Sequence, residues 1–137
     1  MSHRFRWLSQ EKICLVRYEG EFTLEALERA DAEIYAATRG RGVRFLFDLR
    51  DAEFLVSPAE AREYAQWLQD QRIDDTHPES RNAIIATEAR NAALSLIMAA
   101  TSEPYVPFEL FSTLEGACGA LGIDPALVEH HSDVIPH

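Results

Sequence analysis

Long apolar runs, cysteine and positive charge are all scarce in this chain, and each shortage removes a class of protein. The longest apolar stretch, AALSLIMAA from Ala92 to Ala100, is well short of the ~20 residues that cross a bilayer as a helix. The opening MSHRFRWLSQEKICLV carries Arg4, Arg6, Glu11 and Lys12, which leaves no unbroken apolar stretch for a signal peptide. A cytoplasmic protein with no membrane insertion is the expectation. Cys14 and Cys118 are the only cysteines; both lie in apolar segments and read as small buried hydrophobes in a reducing compartment. No metal-ligand spacing links them, and His77, His130 and His131 lie in polar stretches, so no metal and no cofactor is expected.

Basic residues number 13 against 23 acidic ones, a formal charge of −10. That balance repels the phosphates of nucleic acid and of anionic lipid, so nucleic acid is not an expected partner. Arg39, Arg41 and Arg44 cluster around Gly40 and Gly42, and such a run reads as a solvated turn. What remains is an ordinary globular composition, 47% hydrophobic over 137 residues, enough for one core.

Residues 1–123 are expected to form one α/β domain, with 124–137 as a C-terminal extension. Phe5 to Leu8 and Ile13 to Tyr18 are β-rich runs around a short polar stretch, and predict an antiparallel opening pair with Gly20 as its end. Three strand-then-helix units follow, so the sheet should be mixed, mostly parallel and five-stranded, with four to five helices. Thr23 caps the first helix, whose stripe is Leu24, Leu27, Ala30, Ile34 and Ala37, and Gly40 stops it. VRFLFDL, Val43 to Leu49, is the central strand. Ser57, Pro58 and Glu60 combine an N-cap, a first-turn proline and a capping-box glutamate before the stripe Ala61, Tyr64, Ala65 and Leu68. NAIIAT leads through a capping Thr87 into a helix with inner residues Ala93, Leu96, Ile97 and Ala100, leaving Leu94 and Met98 for a homodimer contact. Pro104 and Pro107 bracket a loop before the strand FELF. Ser112 with Glu115 boxes the last long helix, which Gly122 ends, and Asp124-Pro125 starts one more turn.

RFLFDLRDAEFLVSPAEA, YEGEFT at Gly20 and FELFSTLEGACGALG, taken with that element order, resemble the SpoIIAA-like proteins, relatives of the STAS domains of anti-sigma-factor antagonists and anion transporters. The resemblance implies a SpoIIAA-like fold and a non-enzymatic regulatory or scaffolding role exercised by binding a protein partner, with the Asp48 to Ser57 loop and the helix after it as the contact surface. It also implies a phosphoacceptor at Ser57, the serine that opens the helix after the central strand. A phosphate there would meet the free N–H groups of the helix start. The family's preceding aspartate is Val56 here, and Pro58 offers no N–H.

Two further readings stay open. Asp48, Asp51 and Glu53 cluster at the expected end of the central strand, where ligands of open α/β sheets bind, and close carboxylates can share a proton as an acid–base pair. An enzyme would need them in a cleft. Asp48 with Thr87 also resembles the phosphoacceptor aspartate and threonine of receiver domains. The acidic pair and lysine such a domain needs are replaced by Tyr18-Glu19-Gly20 and Phe111-Ser112-Thr113. Finally, Phe54, Tyr64, Trp67, Tyr105 and Phe108 could meet around a pocket for a small apolar or amphiphilic ligand. That reading requires a closed pocket lined by Phe54, Tyr64 and Trp67.

Overall fold

The computed structural model describes residues 2–8, 13–38, 44–72, 82–102 and 108–129. The elements run β1 (Ser2–Leu8), β2 (Ile13–Thr23), α1 (Leu24–Thr38), β3 (Arg44–Leu55), α2 (Pro58–Arg72), β4 (Asn82–Ile85), α3 (Ala89–Ser102), β5 (Phe108–Phe111), α4 (Leu114–Leu121) and α5 (Pro125–Glu129). The sheet has five strands in the order β1-β2-β3-β4-β5. β1 pairs antiparallel with β2, and β2 to β5 run parallel. The expectations placed on Gly40, Arg39, Arg41, His77, Pro104, Tyr105, Pro107, His130 and His131 fall outside the described residues.

Side-chain alternation divides the sheet between two cores. Cys14, Val16, Phe45, Phe47 and Ile84 face α1, α2 and α3, while Ile13, Leu15, Leu46, Ala83 and Ile85 face α4 and α5. Central strands buried on both sides in this way read as continuous apolar runs, which is why VRFLFDL was legible. Leu127 and Val128 of α5 pack on the second core.

Two strands run longer than their sequences suggest. β2 passes through Gly20 to Thr23, with a register shift between Arg17 and Glu19. Gly20 has φ 90, a left-handed value that glycine adopts without steric cost, so it turns the strand at an irregularity instead of ending it. β3 likewise continues past Leu49, and Glu19 to Thr23 pair with Asp51 to Leu55. The expected Asp48 to Ser57 loop is therefore mostly strand.

β4 pairs with β3 only as far as Asp48, so the outer half of β3 would show a bare edge. Asn91 of α3 fills part of it. Its Nδ2 donates to the Ala52 carbonyl at 2.8 Å and its Oδ1 accepts from the Phe54 N–H at 3.1 Å, the two bonds a residue of a parallel neighbour would make. Asn82 does a related job at the other end, where its Oδ1 accepts from Phe45 N–H at 2.9 Å.

These bonds also rotate α3 from its expected orientation. Among its described side chains the buried ones are Asn91, Leu94 and Ser95; Ile97 packs on the core as expected, but Ala93 is exposed and Leu96 is 57% exposed, and the expectations on Met98 and Ala100 fall outside the described side chains. Ser95 Oγ donates to the Asn91 carbonyl at 2.8 Å, so both polar side chains are satisfied inside. Leu94 belongs to the core and not to a dimer face. Two caps also shift by one residue: the Glu88 carboxylate accepts from Arg90 and Asn91 N–H at 3.0 and 3.1 Å in place of Thr87, and Thr113, not Ser112, accepts from Gly116 N–H at 3.0 Å. Gly122 closes α4 at φ 73.

Candidate functional site

The start of α2 has the capping box read from its sequence. Ser57 Oγ accepts from Glu60 N–H at 3.1 Å, and Glu60 Oε1 accepts from Ser57 N–H at 3.0 Å. Ser57, Pro58 and Ala59 are exposed. The strand leading to them alternates, with Ala52, Phe54 and Val56 buried and Asp51, Glu53 and Leu55 outward. Leu55 is 37% exposed, one of two large hydrophobics exposed among the described residues, with Leu96.

The three carboxylates of the sequence reading lie within β3, not on a turn beyond it, and Asp51 and Asp48, with Glu19 of β2, act on one guanidinium, that of Arg17. Asp48 is clasped by Arg50, whose Nε and terminal nitrogen donate at 2.9 and 2.8 Å and whose N–H adds a bond of 3.1 Å. Asp51 forms an ion pair with Arg17, and that hydrogen bond holds the Arg17 guanidinium above its usual range. Asp48 and Asp51 thus each face a guanidinium, and Glu53 is exposed.

The aromatic residues lie deeper. Phe54 is 2% and Tyr64 4% exposed, so neither belongs to a protein-contact surface. Tyr18 meets Phe22 and Phe54 edge to face at 5.3 and 5.8 Å. With Leu27, Tyr35, Phe47 and Tyr64, Tyr18 and Phe54 line a cavity of about 30 Å³. That is room for about two water molecules, far less than an acyl chain. Phe108 also lines it. Trp67 does not, and instead stacks on Tyr64 at 5.9 Å.

Beside this cavity lies a pair that the sequence reading missed. The Tyr18 hydroxyl donates to Oδ1 of Asp31 on α1, and Asp31 is 1% exposed. Its Oδ2 has no hydrogen-bond partner among the described residues. Burial raises the Asp31 carboxyl to about 7 against the smaller opposing effect of Tyr18, and burial likewise pushes Tyr18 well up. The signal was Asp31's place between Leu27 and Tyr35, at helical spacing within a buried stripe. Nearer the surface, partial burial, then Glu63 and Glu25, raise Glu28 on α1.

Strand order, two-sided helix cover and the capped α2 start define a SpoIIAA-like fold, and two solved structures have it. One is an uncharacterised protein of the DUF3478 family with a SpoIIAA-like fold from Shewanella loihica PV-4, 15% identical, with a TM-score of 0.59 over 88% of this chain and 92% of that one. The other is the anti-sigma factor antagonist SpoIIAA in its unphosphorylated form, 12% identical, with a TM-score of 0.54 over 88% of this chain and 98% of that one. No family model and no curated protein sequence matches the chain. Among the described residues no helix is long and apolar enough to cross a membrane.

Proposed function

We propose that this chain is a regulatory module that binds another protein through the outer end of β3 and the start of α2, with Ser57 as its switch. The observation that carries the reading is the exposure of Leu55 two residues before an exposed capping serine. An apolar side chain rimmed by Glu53, Ser57 and Pro58 has the composition of an anchor within a polar surround. The likeness to an anti-sigma factor antagonist solved in its unphosphorylated form supports the same reading.

The switch has a physical basis in the capping box. Phosphate on Ser57 Oγ brings up to two negative charges to within a hydrogen bond of the Glu60 N–H, while the Glu60 carboxylate is held on the Ser57 N–H. Two anions at one helix end repel, so Glu60 is expelled and the surface beside Leu55 is both recharged and reshaped.

Native mass spectrometry of the protein isolated from its own cells tests this. The expected result is a complex with a second protein that is present in the wild type, lost in Leu55→Lys and altered in Ser57→Asp. A bare, unmodified wild type, or equal occupancy in all three proteins, overturns the reading.

A further inference from the structure

The Tyr18–Asp31 pair and the cavity share one helix. Leu27, Asp31 and Tyr35 follow one another at four-residue spacing on the inner face of α1, so they stack along it. Leu27 and Tyr35 line the cavity, and Asp31 sits between them with its hydrogen bond across to Tyr18 of the sheet. The floor is Phe47 and Phe54, and Tyr64 closes the α2 side. α1 thus roofs the void, and the Tyr18–Asp31 bond beneath it involves a carboxyl whose second oxygen has no hydrogen-bond partner among the described residues. A carboxyl in such a place is tolerated when neutral and expelled when ionised.

We propose that α1 is a proton-held lid over this aromatic cavity: protonated Asp31 keeps the helix seated, and loss of its proton to solvent lifts the helix from the sheet and opens the void. The inference is independent of the partner-binding reading. Tyr18 and Cys14 from β2, Tyr35 from α1 and Tyr64 from α2 are the titratable groups of this region. The other ionisable groups that α1 carries or meets include Arg29, held by Glu25 at 2.9 Å, Glu33 with His3 at 3.2 Å, and Glu28, which Glu63 and Glu25 repel. None of these described groups supplies a cation to Asp31.

The direction follows from linkage. The seated carboxyl holds its proton to about 7, whereas in the lifted helix it titrates at an ordinary ~4. Lifting therefore grows about tenfold per pH unit between those values and levels off above them. Acid closes the lid and neutral solution loosens it.

Hydrogen exchange of the α1 amides, corrected for intrinsic rates, tests the proposal on the full chain between pH 5 and 8. The expected result is a roughly hundredfold loss of protection from pH 5 to 7, a plateau above it, and no such change in the β3 and β4 amides. Anilinonaphthalene sulfonate fluorescence should rise over the same interval. Asp31→Asn should flatten both curves. Tyr18→Phe should move the plateau to higher pH, because the hydroxyl lowers the Asp31 carboxyl. Protection that is flat in the wild type, a slope shared by the whole sheet, a slope that persists in Asp31→Asn, or dye uptake that stays flat while α1 opens overturns the lid. Should Asp31→Asn fail to fold, carbon-detected titration of wild-type Asp31 is read beside the α1 exchange: an ordinary carboxylate midpoint, or a near-neutral one that the α1 protection does not follow, overturns the proposal, and a near-neutral midpoint at which α1 protection also falls upholds it.

Discussion

The two halves of β3 are one strand under two regimes. From Phe45 to Leu49 it is buried on both faces, with β2 on one side and β4 on the other. From Arg50 to Leu55 it keeps β2, but β4 has stopped, one face is open, and a single asparagine amide stands where a neighbouring strand would be. The inner half is held by burial. The outer half is held by a few directed bonds, and it carries the exposed residues of the candidate site.

That contrast predicts unequal consequences of mutation, the largest in the inner half. Phe45 is 1% exposed and stacks on Phe47 at 5.2 Å. Phe45→Ala should remove about 4 kcal/mol, read as a lower urea midpoint at unchanged slope. A loss under about 1 kcal/mol would mean that the inner strand is not the keystone the burial implies. Asn91→Ala comes next. It strands the Ala52 carbonyl and the Phe54 N–H, and the expected cost is about 2–3 kcal/mol, with exchange protection lost first from Ala52 to Leu55. Equal loss across β3 would erase the distinction between the halves.

The same contrast explains what the sequence disclosed. Burial on both faces writes an apolar run, so Phe45 to Leu49 was plain, as were the helix stripes of α1 and α2. The outer half alternates in Asp51-Ala52-Glu53-Phe54-Leu55-Val56, which is a strand pattern. Its acidic residues look like turn chemistry, as does Gly20 in β2 opposite them, because a sequence does not show that β2 supplies the missing ladder. α3 was misread for a related reason. Periodicity counts apolar residues, and here Asn91 and Ser95 are the inner ones because directed bonds satisfy them. The Ser57 capping box was legible because its partners lie three residues apart, and Asp48 and Arg50, two apart on a strand, share a face, whereas the Arg17–Asp51 and Tyr18–Asp31 pairs join segments that spacing alone does not bring together.

Ser57→Ala should cost about 1 kcal/mol, less than either change above, since an exposed cap satisfies one helix N–H that water can also reach. The measurement is again the urea midpoint, and a second readout sharpens it: the Glu60 carboxylate, no longer in a reciprocal box, should lose its bond to the residue-57 N–H and change its chemical shift. An unchanged Glu60 would show that the box holds without its hydroxyl.

Leu55→Lys should have the smallest effect on stability, within about 0.5 kcal/mol, because the 37% exposed side chain is replaced by a stem that can cover the same apolar surface while its ammonium reaches water. This is where stability and function separate. If Leu55 served the fold, its replacement would lower the urea midpoint by an amount comparable to the loss of a buried methyl group or more. If it serves a partner, the midpoint stays in place while the complex with the second protein disappears, since an apolar anchor replaced by an ammonium leaves a charge to be desolvated at the contact. The outer half of β3 would then owe its length to what it presents, and Asn91 would be the bond that lets it be presented.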